Sequence, residues 1–169
     1  MEVKAANGDA DAMFRLGVAH ELGLDIKPNY KTAMAWYRRA ADAGNTRAMT
    51  NLGANLAESA DRASCLEGVA LLEKAASAGE SSAMYNIASM YGSGDVLPLN
   101  GAEEQRWRLR AGEAGNPFAM LDLGLAFQMG QQGVVKDRSK AIYWYRKAVE
   151  HNEGWRREAA MNALKDLGQ

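Results

Sequence analysis

The sequence predicts an all-α protein: a right-handed α-α superhelix, or solenoid, of four helix-turn-helix repeats closed by a C-terminal capping helix. Three observations predict it. Ala-Met-x-x-(Leu/Ile) recurs five times, at Ala12-Met13 with Leu16, Ala48-Met49 with Leu52, Ala83-Met84 with Ile87, Ala119-Met120 with Leu123, and Ala160-Met161 with Leu164. A glycine precedes each of the first four copies, at Gly8, Gly44, Gly79 and Gly115, so the unit repeats at spacings of 36, 35 and 36 residues, the range of stacked helical arrays. Each unit reads as two helical patterns around a short connector, and the connectors hold most of the glycine and proline. The fifth copy lies 41 residues after the fourth, a displacement that suits a terminal cap.

The first helix of a unit begins after the glycine on Asp9, Asn45 or Asn116, whose side chains can accept from free first-turn amides. Pro117 then suits the first helical position, where no donor is needed. The second helices take their caps from Asn29, Ser64, Asn100 and Asp137, with capping boxes expected at Ser64 with Glu67 and Asn100 with Glu103. On the first helix the apolar stripe continues to His20, Leu56, Tyr91 and Phe127. The second helix carries Trp36, Leu71, Trp107 and Trp144, followed four residues on by Ala40, Ala75, Ala111 and Ala148. Spacings of three and four put these residues on one face, and the small alanines allow close helix approach. One pair cannot bury both its faces, so pairs must stack. Gly44, Gly79 and Gly115 suit left-handed exits from the second helices, and Asn152 is expected to do the same at the fourth exit.

A chain of 169 residues with 47% apolar and 24% charged residues has the composition of one domain. The reading is a single domain over 1–169, with repeats at about 6–43, 44–78, 79–114 and 115–152 and a capping helix at about 154–168. Twenty Lys and Arg against 21 Asp and Glu leave a formal charge of -1, which argues against nucleic acid as a partner. No stretch has the apolar length of a membrane span, so no membrane insertion is expected. As written the chain reads as soluble and cytoplasmic, with a periplasmic address if a leader preceded Met1.

The run Leu16-Gly17, then Ala33-x-x-Trp36-Tyr37-Arg38-Arg39-Ala40-Ala41-x-x-Gly44, resembles the Sel1-like repeat of the tetratricopeptide-related superfamily. The fourth unit carries the resemblance furthest, through Ala119, Leu123-Gly124, Phe127, Gly130, Gly133-Val134, Asp137, Ala141 and Trp144-Tyr145-Arg146-Lys147-Ala148. A period near 36 also separates it from tetratricopeptide units, which repeat at about 34 residues. Unit two departs most, with Leu71-Leu72 for Trp-Tyr and Gly68 for the helix-start alanine. Unit three has Trp107-Arg108 and Gly112, from which a less well packed second helix is expected. The resemblance implies an adaptor or scaffold, in bacteria often in secretion, host interaction and signalling. Some relatives look like immunity proteins that neutralise antibacterial effectors, including phospholipases of the type VI secretion system.

Chemistry is sparse. His20 and His151 are the only histidines and Cys65 the only cysteine, too few for a multi-histidine metal site, a Cys-based zinc site or a disulfide framework. Catalytic, metal-binding and cofactor-binding residues are therefore read as none. The alternative is a hydrolytic enzyme using Cys65 or His20 in the solenoid groove, but neither has a base and an orienting partner nearby in sequence. The glycine-rich runs 92–95 and 130–133 are read as inter-helix turns, and the arginines at 106, 108 and 110 as a solvated face.

In stacked pairs of this kind the first helices line the concave side, and its non-core positions vary between copies. The expected partner face has an apolar end at Phe14 and Val18 and a polar middle at Arg47, Asn51, Asn55 and Asn86, with Tyr85 as a central anchor. Its other end is Phe118, Leu121, Asp122 and Leu125. The asparagines are expected to be exposed. The lysines of a carboxylate clamp are missing, so the expected partner is another protein offering a folded surface or an apolar segment.

Overall fold

The computed structural model describes residues 2–131 and 133–169; Met1, and Gln132 of the 130–133 connector, lie outside the described residues. Among the described residues there are ten helices and no strand. They are α1 (Glu2–Ala6), α2 (Ala10–Leu22), α3 (Tyr30–Asp42), α4 (Thr46–Ala57), α5 (Arg62–Ser77), α6 (Ser81–Ser93), α7 (Gly101–Glu113), α8 (Pro117–Met129), α9 (Arg138–His151) and α10 (Gly154–Asp166). They gather into two compact units, Met1–Glu80 and Ser81–Gln169. In the first, α2 pairs with α3 and α4 with α5, and α3 packs on α4. In the second, α6 pairs with α7 and α8 with α9, while α7 packs on α8 and α9 on α10.

Local chemistry explains where the helices start and stop. Asp9, Asn45 and Asn116 accept from the amides of Ala12, Ala48 and Ala119, each at 2.9 Å, so three first helices open on the residues expected from sequence. Gly44, Gly79 and Gly115 stand at φ near +92°, a region open to glycine at no steric cost. Around each, a hydrogen bond closes the end of the helix: the amide of Asn45 donates to the Ala40 carbonyl at 2.9 Å, and that of Asn116 to Ala111 at 2.8 Å. This is the Schellman exit. Gly8 repeats it after α1, with the Asp9 amide donating to Lys4 at 3.1 Å.

Three expectations fail here. Ser64 does not cap α5; the helix starts earlier, on Asp61, whose carboxylate accepts from the Ser64 amide at 2.8 Å and the Ser64 hydroxyl at 2.7 Å. A carboxylate at the first turn complements the helix dipole better than a hydroxyl does, and it holds the Asp61 carboxyl below its ordinary range through the Ser64 hydroxyl. Glu67 is thereby released from any capping box and pairs with Arg38 of α3. At Asn100 only half of the box forms. Its side chain accepts from Ala102 and Glu103, but its own amide donates to the Tyr91 carbonyl and Glu103 pairs with Arg106 at 2.8 Å. The left-handed residue after α9 is Gly154 (φ +57°), not Asn152, which is extended at φ -117°. Asn152 is buried, and its amide group donates to the Ala148 carbonyl at 2.8 Å.

Hairpins in three of the four pairs are sewn the same way. The amides of Asn29, Asn100 and Asp137, the residues that cap the second helices, donate back to the carbonyls of His20, Tyr91 and Phe127 at 2.8, 3.0 and 2.8 Å. His20 therefore joins the connector through its main chain. In the second pair the shorter connector lacks this geometry, and Leu56 instead receives the Ser59 amide at 3.0 Å.

The core of the first and fourth pairs is a ring laid on a glycine. A Cβ on Gly17 would sit 2.5 Å from the Tyr37 ring, and one on Gly124 would sit 2.5 Å from Tyr145. Both tyrosines are buried. Their hydroxyls stay hydrogen-bonded, Tyr37 to Glu21 at 2.5 Å and Tyr145 to Gln128 at 2.6 Å, as buried polar groups require. Gly112 does not loosen α7, contrary to the sequence reading. Its bare Cα is where Leu123 and Trp144 come in, within 3 Å of where a Cβ would stand, so it is a site of closer approach between α7 and the following pair.

A candidate protein-binding groove on α8 and α10

The eleven residues expected on a partner face fall into two groups, one in each unit. In the first unit, Phe14 is only 6% exposed, and its ring meets Tyr37 at 5.8 Å while the Arg47 guanidinium covers it at 4.5 Å. Phe14 is thus core, and Arg47, itself exposed, is its lid. Asn51 and Asn55 are half-buried instead of exposed. Asn55 accepts from the Tyr30 hydroxyl and donates to the Asn51 carbonyl at 2.9 Å. Val18 is half-buried on α2.

In the second unit, Tyr85 and Asn86 are half-buried on α6. Tyr85 is already engaged: its ring stacks on Phe118 at 5.7 Å and its hydroxyl donates to Asp122 at 3.0 Å. Burial, then the Asp122 charge, push that hydroxyl up to about 12. Phe118 is 42% exposed and Leu125 50% exposed on α8, with Leu121 half-buried between them. These three, together with Asp122, line one groove of about 420 Å³ whose opposite wall is α10.

Several residues of this site escaped the sequence reading, all of α10's among them. Trp155, 66% exposed, and Asp166 belong to the helix read only as a cap, yet both line the groove. Gln128, the acceptor for Tyr145, lines it as well. Arg108, behind the groove, was missed as well. It is not part of a solvated face: it is 5% exposed, paired with Glu104 at 2.5 Å and with Asp122 at 3.7 Å. Gly92 makes room for this, since a Cβ there would fall 2.7 Å from the Glu104 carboxyl. Burial raises the Asp122 carboxyl above its ordinary range, against the lowering effect of Tyr85 and Arg108.

The signal for part of this network was present in sequence. Five residues after each Leu or Ile stand Glu21, Ala57, Gly92 and Gln128, and one residue after each Trp or its substitute stand Tyr37, Leu72, Arg108 and Tyr145. An acceptor occurs where the wedge is tyrosine, an apolar alanine where it is leucine, and an opening where it is arginine.

The remaining candidates are isolated. Cys65 is half-buried in the first turn of α5, and the imidazole Nδ1 of His151 donates to the Lys147 carbonyl at 3.0 Å. Among the described residues no group of three or more His, Cys, Asp or Glu is arranged to hold a metal ion, and no helix is long and apolar enough to cross a membrane.

Comparison with known proteins gives these features a family. Residues 10–45, 46–80, 81–103 and 117–153 match the Sel1 repeat; the third match stops just before the Trp107-Arg108 pair. The chain is 27% identical over 157 residues to chitin synthase regulatory factor 3 of Schizosaccharomyces pombe, covering 89% of this chain and 17% of that protein. It therefore spans less than a fifth of that relative's length. Among solved structures it is similar to a protective antigen of uropathogenic Escherichia coli displaying an SLR fold, with TM-score 0.77, 24% identity, and coverage of 96% of this chain and 35% of that one. It is also similar to an immunity protein of Pseudomonas aeruginosa, with TM-score 0.59, 16% identity, and coverage of 95% and 75%. With helical pairs matched over most of its length, this chain belongs to the Sel1 repeat family.

Proposed function

We propose that the chain is a non-enzymatic protein-binding module, an adaptor or inhibitor that engages its partner through the second unit. The observation that carries the reading is the groove on α8. Phe118 and Leu125 stay exposed at repeat positions that vary from copy to copy, and α10 adds Trp155 instead of burying them. Contiguous apolar surface of this kind marks an interaction site, and exposed aromatics are the side chains that anchor one. The yeast relative is a regulatory factor by name, which fits binding without turnover. Cys65 and His20 stay the enzymatic alternative, and no observation here favours them.

The test is a pull-down from the native organism with the intact chain as bait, analysed by mass spectrometry and repeated with Leu121→Glu. A partner retained by the wild type and released by the variant supports the reading. A hydrolytic activity of the purified chain that disappears in Cys65→Ser would overturn it.

One narrower role has a specific observation behind it. The likeness to the immunity protein extends over 95% of this chain, and it favours an inhibitor that neutralises a secreted effector such as a phospholipase. A toxin or lipase gene beside this one supports that role, and a purely metabolic neighbourhood argues against it.

A further inference from the structure

We propose that the α8–α10 groove receives an apolar segment of the partner that carries a lysine or arginine beside its hydrophobic side chains. The inference rests on the reading of the chain as a protein-binding module and specifies the chemistry of what it binds. The floor and walls are apolar where Phe118, Leu125 and Trp155 stand exposed. A volume of about 420 Å³ is within the roughly 300–1,000 Å³ of pockets that enclose a small molecule or a few bulky side chains.

Charge selects the occupant. Two carboxylates, Asp122 and Asp166, line the groove, and among the described residues that line it there is no lysine or arginine. Behind Asp122 lies Glu104, so that Glu104 and Asp122 share the single Arg108 guanidinium. A second cation borders the groove, Arg156, whose guanidinium lies 3.9 Å over the Phe118 ring and 4.9 Å over the Trp155 ring. Among these five described groups, three carboxylates stand against two guanidiniums. Placed beside the half-buried Asp122 carboxylate, a partner's cation gains more than it would in water, whereas an acidic segment or an anionic lipid headgroup would be repelled. Such complementarity fixes register and specificity more than raw affinity.

A random twelve-residue peptide library displayed on phage, selected on the intact chain, tests this directly. Leu125→Glu serves for counter-selection; because Leu125 is exposed, that variant is expected to keep the wild-type melting curve. The expected survivors combine at least two bulky apolar residues with an excess of lysine or arginine. Their affinity should fall at least tenfold for Leu125→Glu and several-fold for Asp166→Asn or Asp122→Asn, with a flatter salt dependence in the two asparagine variants. Survivors that are acidic or uncharged, survivors that bind Leu125→Glu as tightly as wild type, or a library that yields none would each overturn the inference. The module reading fails separately: a native partner that binds wild type and Leu125→Glu equally sinks this groove alone, while absence of any native partner sinks the module.

Discussion

Repeats three and four of the second unit solve one packing problem in two ways. In repeat four, α8 offers Gly124, α9 lays Tyr145 across it, and Gln128 takes the phenol hydroxyl at 2.6 Å. In repeat three the equivalent positions are Ala88, Arg108 and Gly92. There a buried guanidinium replaces the ring, and Glu104 enters over Gly92 to pair with it. An aromatic wedge is neutral and self-contained. A guanidinium wedge needs counter-charges, and it recruits one from its own helix and one, Asp122, from the next pair. The price of the second solution is a carboxylate held at the edge of a groove, which is also what gives that groove an electrostatic preference.

The comparison breaks most visibly at Arg108. Arg108→Met removes a buried guanidinium shared by two carboxylates, and it should destabilise the fold by roughly 3 kcal/mol, the usual scale for orphaning a buried charge. Urea denaturation measures it, and a loss below about 1 kcal/mol would mean that water already screens the pair. The glycine test comes next. Gly124→Ala drives a methyl into the Tyr145 ring and should cost about 2 kcal/mol. The reverse change at the matching site, Ala88→Gly, should cost only about 0.5–1 kcal/mol through chain entropy. Equal costs at the two sites would show that no ring presses on Gly124.

Smaller effects sharpen the contrast. Tyr145→Phe strands the Gln128 carbonyl oxygen and should cost about 1 kcal/mol. In a double-mutant cycle with Gln128→Leu most of that loss should vanish, because the acceptor goes with the donor. A coupling near zero would remove the hydroxyl from the account.

The smallest effect is one of pH. Asp122 has a raised carboxyl in the folded state, chiefly from burial, so the native chain binds that proton more tightly than the unfolded chain. Its contribution to stability is greatest in acid and falls as pH rises from the ordinary aspartate range through the raised value. Glu67, lowered by Arg38, works the other way, and its support is lost as pH falls. Relative to wild type, Asp122→Asn should therefore gain stability as pH rises above the ordinary aspartate range, read from urea midpoints. An advantage that shrinks with rising pH would reverse the assigned sign.

Most of the architecture was legible because it follows local rules. The spacing of the exit glycines and the capping side chains announce helix ends, and each acts within a few residues of itself. The Ser64 expectation failed where two capping residues compete within one turn: Asp61 and Ser64 are three apart, and the carboxylate takes the earlier amides. The site was legible only in part. Phe118, Leu121, Asp122 and Leu125 stood out as variable positions on a first helix, and the structure brings them together. Phe14 looked equivalent by register, yet Arg47 folds over it. Register cannot announce such a lid, because it comes from the next pair. Trp155 and Asp166 were hidden for a similar reason. They sit on a helix displaced from the repeat, so no aligned copy showed which of its faces is turned to α8.

The measurement that bears most directly on the central claim is calorimetric titration of a captured native partner into the wild-type chain and into Leu125→Glu. The protein-binding account predicts saturable binding to the wild type, weakened at least tenfold in Leu125→Glu, with thermal unfolding of the two chains unchanged. Equal affinity for both would place the interaction elsewhere on the molecule and contradict the assignment of α8 and α10 as the binding surface.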